Sequence, residues 1–535
     1  MKALAQSSFL VLALMAGSHG CETADLIANW NSTGIPPLIL GRPAMQHDWL
    51  TPDGRFYIHY DVSGPRSVFH PSEDTQPMDG IPDYVNRAAD YLSLAYDSLV
   101  TGIGFDPPPF DGFEGGDSLY DVYLTEVTGL TTPEYPSQQY PGRLAYSSYM
   151  QLGHDLRSIN YPTDPLPLLK VLAAHEYFHA VQFAYRAYSS DLTPWWFESC
   201  AMWAEEKVFD NVNDVYYYLD HYLSQPYRSL YLTNGQFIYG AWLLPQYLEN
   251  RFGESFLKES WEYFIGFNIA LEALNYALLN RGMDLNDELC THQIWNYFTG
   301  ENYSPGFYSE AEQFPTTVYE ARTHFNYPVE WLDEPNPLEN VASSYIVFGR
   351  NSMTKGTLVI DYLNSTEHRH KVCIVIAHLN SGVEYQIYEI DSGIRSTFTV
   401  TDFNRFEKVI MIPVWIYEGA PNGDASSYRY QARLDTLTTP ISSDIFPEGR
   451  FELIGAYPNP FNSSVSVSFR APREGPSKFT IFDITGRSLF EMKFEAEAGG
   501  NQIIWNAPEG LATGVLFYRI NLDSQQANGK IVYLK

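Results

Sequence analysis

The sequence predicts a multidomain protein in which an α+β domain (residues 49–330) precedes an all-β sandwich (331–440) and a second, small β-sandwich (447–535). Three observations carry this. Strand-like and helix-like segments alternate as far as Tyr327. Past the turn-rich WLDEPNPLENV the helical spacing of apolar residues stops and short strand patterns replace it. A second linker, LTTPISSDIFPEG, then separates those strands from a last block of them. A chain of 535 residues fits two to four domains.

Before these domains stands MKALAQSSFLVLALMAGSHG, with Lys2 as a positive start, an apolar core from Phe9 to Ala16, and small residues after it. Residues 1–20 therefore read as a signal peptide, too short for a stable membrane span. Cys21 raises lipid attachment as a lesser alternative, because Ser18 stands where a bacterial lipobox has Leu. Residues 21–48 form an N-terminal segment or short propeptide, and no later stretch is apolar and long enough to cross a bilayer. The balance of 33 basic against 64 acidic residues, net −31, excludes nucleic acid as a partner, since phosphates need a basic footprint. A solvated acidic surface, as on an exported protein, accounts for it. Cys200, Cys290 and Cys373 are scattered and imply no disulfide framework; they read as small buried apolar residues.

Within the first domain, FYIHYDV (Phe56 to Val62) has strand character, and IPDYVNRAADYLSLAYDSLV carries apolar residues at helical spacing. YDVYLTE and RLAYSSYMQL are strand-like again. A helix starts after Thr163 or Asp164, with Pro165 in its first turn, and runs through LLKVLAAHEYFHAVQFAY. WFESCAMWAEEKVF and YGAWLLPQYLENRF continue the helical pattern. Seven strand patterns between Ala342 and Asp435 read as a sandwich.

The first helix contains His175-Glu176-Tyr177-Phe178-His179. Histidines four apart project from one helical face and can reach one ion roughly 2.0–2.1 Å from each nitrogen. Glu176, beside the first, can act as a base toward water without ligating. A catalytic zinc needs a third protein ligand. Eighteen residues after His179 comes Glu198, at the head of the next helix, and Glu205 follows seven residues on, on the same face. Glu198 can ligate while Glu205 supports a histidine's outer nitrogen. Glu206 points elsewhere and reads as a solvated charge.

HEYFH, eighteen residues, then WWFESCAMWAEE resembles the gluzincin metallopeptidases, above all their aminopeptidase-like branch. The resemblance implies a zincin-like fold, Zn2+ on His175, His179 and Glu198, and Glu176 as general base; Ser199 replaces the family's usual Gly. It also implies a tyrosine or histidine that stabilises the oxyanion, from the segment FIYGAWLLPQYLENRFGESF. The family pattern places that tyrosine where this chain has Phe237, which leaves Tyr239 as the nearest candidate beside its plain reading as a packed aromatic. Without a G-x-M-E-N-like segment, aminopeptidase specificity is not expected.

FYIHYDVSGP, DGIPDYVNRAADYLSLAYDSLV and YDVYLTEV ahead of HEYFHAVQ resemble a group of secreted bacterial metalloproteases. In zincins an edge strand above the motif helix pairs with substrate backbone, a place that YDVYLTE or RLAYSSYMQL could take. Asp74, Asp79 and Asp83 in DTQPMDGIPD raise calcium, but Pro77 offers no side-chain oxygen where such a loop needs one. A turn leading into a helix is preferred there, and Ca2+ is the weaker reading.

In the last block, YPNPFN, IFDITGRSLF, NQIIWN, GLATGVLFYRI and KIVYLK occur in that order. They resemble the type A sorting domain of type IX secretion cargo, an Ig-like sandwich, with Gly486 and Gly514 at turns and Trp505 and Phe517 in the core. A generic Ig-like module akin to flagellar hook-capping domains is the alternative. The resemblance implies the type IX machinery as partner, with release or attachment at the cell surface. The expectation is a secreted zinc metallopeptidase acting on extracellular protein or peptide substrates. The alternatives are a surface adhesin or glycan-binding protein with a structural zinc, and a zinc hydrolase acting on a non-peptide bond.

Overall fold

The protein is described by a computed structural model. It covers Thr23, Leu26, and residues 41–435 and 452–534, except 113, 117, 159–160, 162, 188–192, 234, 380–381, 420–422, 458, 460, 472–473, 497–498, 509 and 523–524. The signal segment, Cys21, most of the segment after it and the 437–449 linker lie outside the described residues. What is described is a multidomain, β-rich chain with several sheets.

Strands β1 (His47–Leu50), β2 (Phe56–Tyr60), β3 (Tyr120–Thr125), β4 (Gly129–Pro136) and β5 (Tyr146–Gly153) form the first sheet, in the order β1-β2-β3-β5-β4. The inner strands β2, β3 and β5 are mutually parallel, and β1 and β4 run antiparallel at the two edges. A parallel β2–β3 pair needs a crossover, and helix α1 (Asp83–Tyr96) lies within it. Phe56, Ile58, Val122, Leu124, Met150 and Leu152 turn from the sheet into one apolar core. There they meet helix α2 (Leu166–Tyr185) through Ala173, Ala174, Tyr177 and Val181. Pro165 stands just before α2, and Pro167 takes the first-turn place expected for Pro165. The helix is buried along nearly its whole length because helix α3 (Pro194–Phe209) packs beside it within the same core.

The edge strand differs from expectation. YDVYLTE is central β3 and RLAYSSYMQL supplies internal β5; the strand at the edge beside β5 is β4, GLTTPEYP. Proline is tolerated on an edge because no ladder hydrogen bond is lost on the open side. Its register against β5 shifts between Pro133 and Pro136, as at a bulge.

Shorter helices follow: α4 (Leu219–Leu223), α5 (Phe237–Gly240), α6 (Leu243–Phe252), α7 (Ser255–Phe264), α8 (Ala270–Leu279) and α9 (Leu285–Tyr297). The middle sandwich holds the seven expected strands, β8 (Ile346–Gly349), β9 (Thr357–Asn364), β10 (His370–His378), β11 (Val383–Ile390), β12 (Arg395–Val400), β13 (Phe406–Trp415) and β14 (Tyr428–Asp435). Two short strands upstream, β6 (Arg322–His324) and β7 (Val329–Asp333), join its sheets, ordered β11-β10-β13-β8-β6 and β12-β9-β14-β7. Ile374, Ile376, Val409 and Met411 face the interior between these sheets, while Cys373, Val375, Ile410 and Ile412 face the helical core. Burial on both faces explains the unbroken apolar run VCIVIA. Cys200, Cys290 and Cys373 are free and buried.

The last block forms two sheets, β15 (Glu452–Tyr457), β16 (Ser464–Ala471) and β19 (Gly499–Asn506) against β17 (Gly475–Phe482), β18 (Ser488–Ala496), β20 (Gly514–Leu522) and β21 (Gln525–Tyr533). Trp505 is buried, but Phe517 is 43% exposed because Leu516 and Tyr518 take the inward positions of β20. Gly486 sits in a turn at φ 84°, whereas Gly514 begins strand β20.

Candidate metal centre

His175 and His179 lie on α2, Glu198 and Glu205 on α3, and all four are buried. The side-by-side helices turn His175, His179 and Glu198 to a common point. The two Nε2 atoms stand 3.2 Å apart. The Glu198 carboxylate places one oxygen 3.3 Å from each of them. Ligand atoms held about 2.0–2.1 Å from a tetrahedral ion lie roughly 3.3–3.4 Å from one another, so the three separations are those of a zinc ligand set.

Hydrogen bonding says the same. Both Glu198 oxygens are buried, each 3.3 Å from an imidazole Nε2, and neither has a hydrogen-bond partner among the described residues. An ionised, unpartnered carboxylate at the bottom of a core is costly unless a cation sits there. The residues present fit Zn2+.

The outer nitrogens are held as such a centre requires. His175 Nδ1 lies 2.6 Å from Glu205 Oε1. Burial lifts the Glu205 pKa to about 7, partly offset by that hydrogen bond. His179 Nδ1 lies 2.7 Å from Gln182 Oε1, and Gln182 Nε2 donates to the Phe197 carbonyl at 2.9 Å. That donation turns the amide oxygen toward His179, so Nδ1 carries the proton and the Nε2 lone pair faces Glu198. Gln182, three residues past His179 on α2, was not singled out from sequence; its place one turn on was the available signal.

Glu176 turns toward the edge strand. The Thr131 hydroxyl of β4 is shared between the Glu176 carbonyl (2.9 Å) and its Oε2 (2.8 Å). Oε2 also accepts from the Thr23 hydroxyl at 3.2 Å. Oε1 is buried with no hydrogen-bond partner among the described residues.

Tyr239, on α5, packs its ring against Tyr218, with centroids 5.1 Å apart. Burial raises the Tyr218 pKa most, and Glu205 and Asp214 raise it further while His175 lowers it. Tyr161 also feels Glu205, so Tyr218 is one of at least two tyrosines in the field of that carboxylate. Tyr218 sits in the run VYYYL, where sequence distinguishes no one tyrosine from its neighbours. Gly240 permits the approach of α5, since a Cβ there would come within 2.7 Å of the Tyr218 carbonyl.

Glu206 points away from the centre, as expected, but is no solvated charge. It groups with Asp210 and Glu310, and burial together with their charges raises its pKa to about 8. Around Asp74, Asp79 and Asp83 the carboxylates serve their own loop. Asp74 accepts from the Asp79 and Gly80 amides at 3.0 and 2.9 Å, and Asp83 from the Thr75 amide at 2.7 Å.

Residues 455–534 match the family model described as a secretion system C-terminal sorting domain. This domain of type IX secretion marks the chain for export across the outer membrane to the cell surface or the extracellular space. Among the described residues no helix is long and apolar enough to cross a membrane. No curated protein matches the chain. Among solved structures, a GH2 β-galacturonidase from Eisenbergiella tayi bound to galacturonate is similar at 11% identity and a TM-score of 0.15 over 36% of this chain and 35% of that one. A Bacteroides uniformis β-glucuronidase gives 12% and 0.14 over 36% and 26%, and one from Faecalibacterium prausnitzii 10% and 0.13 over 39% and 38%. The chain thus covers about a third of the enzymes it matches, and TM-scores this low bear on neither its fold nor its chemistry.

Proposed function

We propose that the chain is a secreted zinc-dependent hydrolase with a zincin-like catalytic domain, acting on peptide bonds of extracellular proteins. The observation that carries the reading is the convergence of His175, His179 and Glu198 at zinc-ligand separations, one helical turn from Glu176. An α2 helix lying under a mixed sheet with an antiparallel edge strand above Glu176 supports the zincin-like fold.

Zinc bound there supplies Lewis acidity, which lowers the pKa of water and polarises a carbonyl. The rest belongs to the chain. His175 and His179 are held in one tautomer by Glu205 and Gln182. Glu176, anchored through Oε2 by Thr131, keeps Oε1 to take a proton and pass it to the leaving amine. The open side of β4 offers backbone groups to an extended peptide. A structural zinc would have no use for Glu176 as a base, which weighs against the adhesin reading.

The test is the Glu176→Gln variant beside the wild type, with zinc content measured and casein, a peptide library, glycosides and esters offered as substrates. The expected result is equal zinc in both and cleavage of peptides by the wild type alone. Turnover confined to glycosides or esters, still dependent on Glu176, transfers the reading to a non-peptide hydrolase. A wild type that holds no zinc after supplementation removes the reading altogether.

A further inference from the structure

We propose that Cys290 and Cys373 join as a disulfide when the chain is exported, fastening the helical domain to the middle sandwich. Cys290 lies on α9 and Cys373 on β10, 83 residues apart in sequence. Both are buried thiols of one apolar core, among Leu289, Ile294, Val375 and Ile412. The Cys373 Sγ lies 4.0 Å from the Cys290 carbonyl oxygen, and the two thiols are within hydrogen-bonding reach of each other.

Hydrogen bonds on either side hold the helix against the sheet. Three residues before Cys290, Asp287 accepts from Lys371 Nζ at 2.6 Å. Lys371 and Cys373, two apart on β10, share one face of the strand, as Asp287 and Cys290 share one face of α9. The pairing of Lys371 with Asp287 therefore sets Cys373 opposite Cys290. Three residues after Cys290, Gln293 accepts from the Tyr345 hydroxyl through its carbonyl and through Oε1, both at 2.9 Å. A disulfide needs convergent side chains on backbones that need not move, and this clamp supplies them.

The sorting domain sends the chain out of the cell, into surroundings where disulfides form and persist. The step is an exchange with an extracytoplasmic oxidant of the dithiol–disulfide class. One cysteine thiolate attacks the oxidant's disulfide, and the second displaces the oxidant from the mixed disulfide. Two S–H bonds and the oxidant's S–S bond break, and one S–S bond forms between Cys290 and Cys373. Both protons and both electrons end on the oxidant's two thiols. Burial pushes the Cys290 thiol well above its ordinary pKa, which disfavours the reactive thiolate in the folded chain. The exchange therefore belongs to folding, before α9 closes on β10, and the finished bond is shielded from reductants. Cys200, on α3 and engaged with Trp261, stays a thiol.

The experiment uses the full chain exported by a Gram-negative host, alkylated in denaturant without reductant, digested and mapped by mass spectrometry. Expected is a linked pair of peptides carrying Cys290 and Cys373, with Cys200 alkylated. Reduction should separate the pair, which then gains two hydrogens. The reduced wild type, Cys290→Ser and Cys373→Ser are each expected to unfold roughly 5–10 °C below the oxidised chain. Should a variant fail to fold, the peptide map of the wild type decides. Separate alkylation of Cys290 and Cys373 in the exported chain overturns the proposal, as does linkage of either to Cys200 or Cys21. A linked pair whose reduction leaves the unfolding midpoint unchanged overturns the fastening role.

Discussion

The Glu176 carboxylate lies against the bare Cα of Gly129: a Cβ at that position would sit 2.6 Å from Oε1 and 3.2 Å from Cδ. Real Cβ atoms do not approach so closely, so a side chain there must displace the carboxylate. Thr131, two residues along β4, holds its other oxygen. A Gly129→Ala variant is expected to lose about a hundredfold in kcat, since a misplacement near 1 Å costs that much, while binding zinc as the wild type does. Paired rate and metal measurements check this, and an unaffected kcat would show that Glu176 is not the base.

Support of the histidines gives a second expectation. Gln182→Ala frees the His179 ring to turn, and Glu205→Gln weakens the hold on His175 Nδ1. Each is expected to weaken zinc binding about 10–100-fold. Competition with a fluorescent chelator measures it. Glu206→Gln, one residue from Glu205 and directed elsewhere, should leave zinc affinity unchanged and serves as the control.

These residues show where sequence was informative. His175, His179, Glu198 and Glu205 were legible because helical geometry ties spacing to direction, and four or seven residues along a helix return to the same face. The pieces of the centre contributed by β4 were not. Gly129 and Thr131 sit in GLTTPEYP, where prolines mask a strand and only the sheet's order reveals an edge. Thr23 is 153 residues from Glu176 in sequence, and a lone threonine carries no signature. Tyr239 was reached only as the tyrosine nearest to Phe237, where the family offset falls, and in the fold its ring packs against Tyr218. The middle sandwich's strands were legible individually, but their burial against the helices was not, since a run apolar on both faces does not say what covers it.

Glu206 predicts a pH dependence. Its folded pKa of about 8 lies above the ordinary value of 4.5, chiefly through burial and then through Asp210 and Glu310. The folded state therefore keeps a proton that the unfolded chain gives up, and stability falls as pH rises from the unfolded pKa to the folded one. Glu206→Gln removes this loss. The variant is expected to match the wild type at pH 5 and to exceed it by about 1–2 kcal/mol at pH 8.5, allowing for water that screens a partly open group. Urea unfolding at the two pH values tests it, and an equal gain at both would mean that packing, not charge, is responsible.

Arg42 predicts a loss of stability. The Arg42→Met variant leaves Asp111, Asp121 and Glu134 without the guanidinium, which also lies over the Tyr149 ring. Losing one partner of a buried ion pair costs about 3–5 kcal/mol, because the remaining charges are desolvated and repel one another. The variant should unfold at lower denaturant near neutral pH by about that amount. Urea unfolding of the variant beside the wild type measures it, and an unchanged midpoint would mean that the three carboxylates do not depend on Arg42.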